Sequence, residues 1–272
     1  MTSLLRRIAF AFVAAVGISL PASATTFSID YTDLWYIPTE SGWGLNVIQQ
    51  GNVMFATLFV YGTDNTPRWY VASDVESSNG TTWTGVLYKT TGPYFGVPWT
   101  GSANVTPAGS LTLTFNTIST GTLTYVADGV TVTKQVQRTA TRTENIAGTY
   151  LGGLTASGSS CNGVNNGPIL IFGGPVVVTQ NTSSGATSIV VNFTNSNGVA
   201  GVCTFNGTYT QIGKPANFAG TWSCTIGGSA YNNGSFTMSE LEATLRGFNA
   251  RFTGSDQFCQ YAGNFGVVRD IQ

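Results

Sequence analysis

Between residues 42 and 138 apolar and polar positions alternate with a period of two, and turn residues cut the alternation into short runs. A side chain on one face every second residue is the signature of a strand, whereas a helix repeats near 3.6. The runs are Gly42 to Gln50, Val53 to Tyr61, Arg68 to Ser77, Thr82 to Thr90, the alternation around Leu111, Leu113 and Phe115, Gly121 to Ala127, and Val130 to Arg138. Gly51-Asn52, Asn79-Gly80 and Asp128-Gly129 stand between them, and Asn-Gly or Asp-Gly between β-rich runs marks a hairpin. Strands joined this tightly pair with their sequence neighbours, which predicts an antiparallel meander, closed as a barrel or folded as a sandwich. Val53 to Tyr61 is apolar on both faces, Phe55, Phe59 and Tyr61 opposite Met54, Ala56, Leu58 and Val60, which predicts a central strand covered on both sides.

The polar stretch Arg138 to Asn145 interrupts the alternation and sets a domain boundary, giving one β domain over residues 25–140 and another over 146–272. The second half repeats the pattern in Ile146 to Leu154, Ile169 to Phe172, Val176 to Gln180, Ser188 to Thr194, Gly201 to Gln211, Phe218 to Ile226, Phe248 to Thr253 and Cys259 to Val268. One stretch departs from it. In Ser239 to Arg246, Ser239 and Glu242 have capping-box spacing while Leu241, Leu245 and Phe248 share a helical face, which predicts a short helix. The fold class expected from the pattern is all-β, two antiparallel meander domains.

Residues 1–24 have a basic start at Arg6-Arg7, an apolar run from Ile8 to Leu20 and Ala22-Ser23-Ala24 at their end, the marks of a secretory signal peptide cut after Ala24. The apolar run is too short to span a bilayer, and no later run reaches that length, so no membrane span is expected in the mature chain. Charged residues make up 8% of the sequence against the roughly 25% of an ordinary soluble domain, so Thr, Ser, Asn, Gln and Gly must cover the surface. The 11 basic residues are matched by 12 acidic ones, which argues against nucleic acid or anionic lipid as a partner.

All four cysteines, Cys161, Cys203, Cys224 and Cys259, fall in the second domain. An even number in an exported chain reads as two disulfides, and without histidine or a C-x₂-C pair no metal site is expected. Of the three connectivities, Cys161 with Cys203 and Cys224 with Cys259 is the favoured one.

The chain contains no histidine. That removes Ser-His-Asp and Cys-His nucleophile systems, imidazole acid–base catalysis and nearly all catalytic zinc sites. A carboxylate pair of the glycosidase type survives, with Glu40 and Asp74 the best of a poor set and Asp74 with Glu76 the alternative. No cofactor motif is present. The aromatic set is richer: Trp35, Tyr36, Trp43, Trp69 and Trp99 surround the acid Glu40 in sequence, and stacked rings with Glu40, Asn46 and Gln50 as polar contacts would suit a sugar or another apolar ligand. Because Trp69 and Tyr70 are consecutive on a strand, at most one of them points into the core. The reading that follows is an exported binding or surface protein. A carboxylate-dependent glycan hydrolase and a structural subunit whose exposed aromatics a neighbour covers are the alternatives.

The segments WYIPTESGWGLNVIQQGN, FATLFVYG and RWYVASD resemble an uncharacterised family of secreted bacterial proteins carrying W-Y-N-P-x-E-S-G-W-G-L-N-x-x-Q-Q-G-D, F-A-T-W-F-V-Y and W-Y-V. Ile37, Asn52 and Leu58 stand here where that pattern has Asn, Asp and Trp. The resemblance implies export and a β fold and carries over no catalytic residue.

Overall fold

A computed structural model describes residues 29–99, 101–162 and 169–270, and the expected signal peptide lies outside them. Sixteen strands account for nearly all of this: β1 (Asp33–Tyr36), β2 (Gly44–Gln50), β3 (Val53–Tyr61), β4 (Pro67–Glu76), β5 (Thr82–Thr91), β6 (Asn104–Phe115), β7 (Thr120–Ala127) and β8 (Val130–Arg138) in the first half, and then β9 (Gly148–Ser159), β10 (Ile169–Gln180), β11 (Ala186–Thr194), β12 (Ala200–Gln211), β13 (Ala216–Ile226), β14 (Ser229–Thr244), β15 (Gly247–Asp256) and β16 (Gln260–Arg269). Each half is a closed eight-stranded antiparallel barrel, β1 pairing with β8 and β9 with β16. Closure leaves no free sheet edge to pair with another chain. No helix among the described residues is long and apolar enough to cross a membrane.

Each barrel is filled by its inward positions. In the first, Trp35, Leu45, Met54, Leu58, Trp83, Leu87 and Leu111 are fully buried. In the second, Tyr150, Phe205, Phe218, Phe252 and Phe265 take the same place, with Phe205 edge-on to Phe236 at 5.2 Å. An eight-stranded barrel is just wide enough for side chains to fill, so these interiors are packed cores and not channels. The same closure corrects the expectation for Val53 to Tyr61. Met54, Ala56 and Leu58 point into the core, while Phe55, Phe59 and Tyr61 stand exposed on the outer wall, because a barrel has a single inside and none of the described residues packs over β3.

The expected helix at Ser239 to Arg246 is instead the end of β14, and Leu245 and Arg246 form the turn into β15. A bulge lies between Ser239 and Glu242, with Glu240 at φ 52°. The extra residue puts Met238 and Leu241 on the same inward face three apart instead of two, which imitates a helical period. Glu240 accepts a hydrogen bond from Arg251 Nε across the strand pair at 2.7 Å.

The disulfides are Cys203–Cys224 and Cys161–Cys259, not the favoured pairing. Register decides it: Cys203 lies directly opposite Cys224 on neighbouring strands β12 and β13, with Cα atoms 4.1 Å apart. Cys161 follows β9 and Cys259 precedes β16, so the second bridge staples the first strand of the barrel to the last where they close.

The barrels touch where Lys214, in the turn between β12 and β13, meets the start of β1. Its backbone N–H donates to Asp33 Oδ2 at 2.6 Å and its ammonium pairs with Asp30. Gln211 Oε1 also accepts from the backbone N–H of Glu144 in the segment linking the barrels. The β2–β3, β4–β5 and β6–β7 turns share this inner end of the first barrel, and the β1–β2, β3–β4, β5–β6 and β7–β8 connections lie at the outer end.

Candidate functional site: the aromatic outer end of the first barrel

The ESGWG stretch forms the turn from β1 into β2 and plugs the outer end. Trp43 points inward against the core, its Nε1 donates to Glu40 Oε2 at 3.0 Å, and Lys134 Nζ both pairs with that oxygen at 2.6 Å and lies 5.6 Å from the indole centroid. Lys134 comes from β8, which reaches Glu40 only because the barrel closes. The hydrogen bond from Lys134 holds the Glu40 carboxyl below its usual range, and the Trp43 N–H adds to it. Gly42 sits at φ 100°, and its carbonyl accepts from the Tyr61 hydroxyl at 3.0 Å, which ties the turn to the wall of β3.

Two more ion pairs lie at this end, Arg68–Asp64 at 2.8 Å and Lys89–Asp128 at 2.6 Å. The Thr66 hydroxyl and backbone N–H, with Arg68, lower Asp64 to about 2. Lys89 and then the Tyr70 hydroxyl keep Asp128 below the usual carboxylate range. Asp128-Gly129 makes a hairpin turn with positive φ at both residues, 48° and 84°, as a type I′ turn requires. Among the described residues the outer end thus carries three acids and three bases, each acid bonded to a base, and no net charge.

Around these pairs the surface is aromatic. Phe59 on β3 lies directly across from Trp69 on β4, both exposed on the outer wall, with Tyr61 beside them and Phe55 farther along β3. On β2, Asn46 lies on the same outward face, Gly44, opposite Phe59, contributes no side chain, and Gln50, opposite Val53, lies at the inner end and away from the rings it was expected to join. Tyr36, paired with Gln137 of β8, lines a separate concavity with Thr120 and with Gln211 and Ile212 of the second barrel. The loop between β5 and β6 adds Tyr94, Phe95 and Trp99, which are 67%, 91% and 63% exposed, and the Tyr94 and Phe95 rings are 4.9 Å apart.

The six residues singled out in the sequence therefore separate. Trp69 and Tyr36 face outward on the wall, Trp99 stands on the loop, and Glu40 and Trp43 close the barrel mouth. Trp35 is buried under Arg138, 4.9 Å from the Phe115 ring, and belongs to the core. Phe59 and Tyr61 were expected under a cover they lack, and Lys134 escaped notice, although a lysine in phase with Val132 and Val136 on β8 is the signal for an inward charge at a barrel mouth. Asp74 lies in a bulge of β4 near the inner end, at the opposite end of the barrel from Glu40.

No family model matches the chain, and no curated protein does. Among solved structures it is similar to a Bacteroides fragilis chain described as a "putative outer membrane protein", at 14% identity over 86% of this chain and 94% of that one, with a TM-score of 0.28. A superposition that loose transfers neither fold detail nor function.

Proposed function

We propose that the protein is an exported, non-catalytic binding protein that takes an uncharged glycan on the aromatic outer end of its first barrel. The observation that carries this is the exposed Phe59–Trp69 pair, with Tyr61 alongside and the outward amide of Asn46 on the neighbouring strand β2, on a surface whose six charges are already paired among themselves. Contiguous exposed aromatics on a single chain mark contact sites. The CH faces of a sugar ring stack on such rings, and side-chain amides both donate to and accept from its hydroxyls. A ligand with no charge of its own leaves the three ion pairs intact.

Export is supported by the two disulfides, which persist in oxidising compartments, and by the N-terminal sequence. The hydrolase reading loses support because Glu40 and Asp74 sit at opposite ends of the barrel, whereas paired glycosidase carboxylates lie about 5–10 Å apart. Titration of tryptophan fluorescence against a panel of neutral and acidic polysaccharides tests the proposal. A saturable change with at least one neutral polymer and none with the acidic ones is expected. A flat response across the panel, or preference for an acidic polymer, overturns it.

A further inference from the structure

The end of the second barrel away from the first differs in one respect from the plugged mouth just described. Phe172 on β10 and Phe193 on β11 point inward, yet both are only partly buried, so among the described residues nothing plugs this mouth. Together with Trp222 and Ile226 of β13 they wall a concavity of about 460 Å³, inside the roughly 300–1,000 Å³ of small-molecule sites. We infer that this mouth is a binding site for a small, flat, uncharged aromatic molecule, in a barrel separate from the proposed glycan face.

Three features set the ligand class. The walls are rings: Phe172 lies 5.2 Å from Phe193 and, nearly parallel at 18°, 6.4 Å from Phe205 deeper in the core. A flat molecule entering from outside extends this stack, and offset aromatic contacts add to the gain from the apolar area they bury. The Cys203–Cys224 bridge also lines the cavity and ties β12 to β13 between Trp222 and the mouth, so the space is preformed. Preformed apolar space binds without the cost of ordering side chains.

Among the described residues no Asp, Glu, Lys or Arg lines the cavity, so a charged ligand would lose its hydration without a partner. Asn232 supplies the polar edge. Its Nδ2 donates to Asp256, whose other oxygen accepts from the backbone N–H groups of Phe258 and Cys259, both at 2.7 Å, so the amide is held in place. Trp222 is 6% exposed, and its buried Nε1 has no hydrogen-bond partner among the described residues.

Trp222 is the single tryptophan of the second barrel, which makes the test specific. Full-length protein carrying fluorinated tryptophan is titrated with naphthol and, separately, with naphthoate, and the Trp222 resonance is assigned with Trp222→Phe. A saturable shift of the Trp222 signal with naphthol is expected, with binding of naphthoate weaker by at least about tenfold. Ile226→Phe, which fills the mouth with extra volume, abolishes the shift, and its unchanged melting temperature shows that the barrel is intact. No saturable Trp222 shift with naphthol overturns the site, as does full binding by a folded Ile226→Phe protein. Equal binding of the two probes overturns its preference for uncharged molecules. Because the glycan face is read by Trp69 and Trp99, failure there leaves this outcome untouched.

Discussion

Arg138 donates Nη1 to Asp33 Oδ2 at 3.0 Å, and that same oxygen accepts the backbone N–H of Lys214 from the second barrel. The Arg138 side chain is wholly buried, Nε donates to Ile118 O at 2.6 Å, Nη2 reaches Asp30 O, and the guanidinium lies 5.1 Å from the Trp35 ring. One cation thus closes the β1–β8 seam, caps the core and aims the carboxylate that receives the neighbouring barrel.

Arg138→Met should therefore cost about 3–5 kcal/mol, because Asp33 keeps a largely buried charge without its partner. Arg138→Lys should not restore the loss, since an ammonium cannot reproduce the planar set of donors. Urea unfolding followed by tryptophan fluorescence reads both. A change below about 1 kcal/mol for the methionine variant would show that the buried pair matters little.

Stability should fall in acid, and the sign follows from two carboxylates. At Asp30 burial raises the pKa, but hydrogen bonds from Lys214 and Thr32 outweigh it, and at Asp256 burial is outweighed in the same way by the N–H groups of Cys259 and Phe258, with Asn232 and Tyr261 adding to them. Both folded values lie below the unfolded value of about 3.9, so their stabilisation is complete above roughly pH 4 and lost as pH falls through the folded values. Asp256→Asn should lower the urea midpoint at pH 7, and its gap from the wild type should narrow as pH drops below 4. A gap independent of pH would mean that the charge at position 256 contributes nothing.

The two disulfides should differ in worth. Cys161 and Cys259 are 98 residues apart and Cys203 and Cys224 are 21 apart. Loop-closure entropy alone assigns about 5 and about 3 kcal/mol respectively. Paired Cys→Ser variants compared by urea midpoint should keep that order. Peptide mapping without reduction should recover Cys203 joined to Cys224, and a Cys161–Cys203 peptide would contradict the register of β12 and β13.

Much of the fold was legible because strand alternation is local. Val53–Tyr61 and Val130–Arg138 have the bounds that their residues announce, and the Asp128-Gly129 turn has the backbone that its residues favour. What failed was whatever depends on closure or on a register defect. The disulfide pairing needs to know that β12 faces β13 and that β9 meets β16, which no spacing of cysteines encodes. The bulge at Glu240 shifted Met238 and Leu241 into an apparent helical period. Phe55, Phe59 and Tyr61 looked like a second buried face because the sequence does not say that the sheet curls round to leave one side open. For the same reason Trp35 was grouped with Trp69, although one lies in the core and the other in solvent, and Lys134 could not be joined to Glu40 across 94 residues.

The proposed glycan face centres on the wall of β3 and β4. Calorimetric titration of the neutral polysaccharide that best quenches the wild type, repeated with Phe59→Ala/Trp69→Ala, measures this directly. Loss of two stacking rings should weaken binding by at least about tenfold, since each aromatic contact adds roughly 0.5–1.5 kcal/mol beyond its area, while the melting temperature stays unchanged because both side chains lie outside the core. Undiminished affinity in the folded double variant would contradict the proposed face.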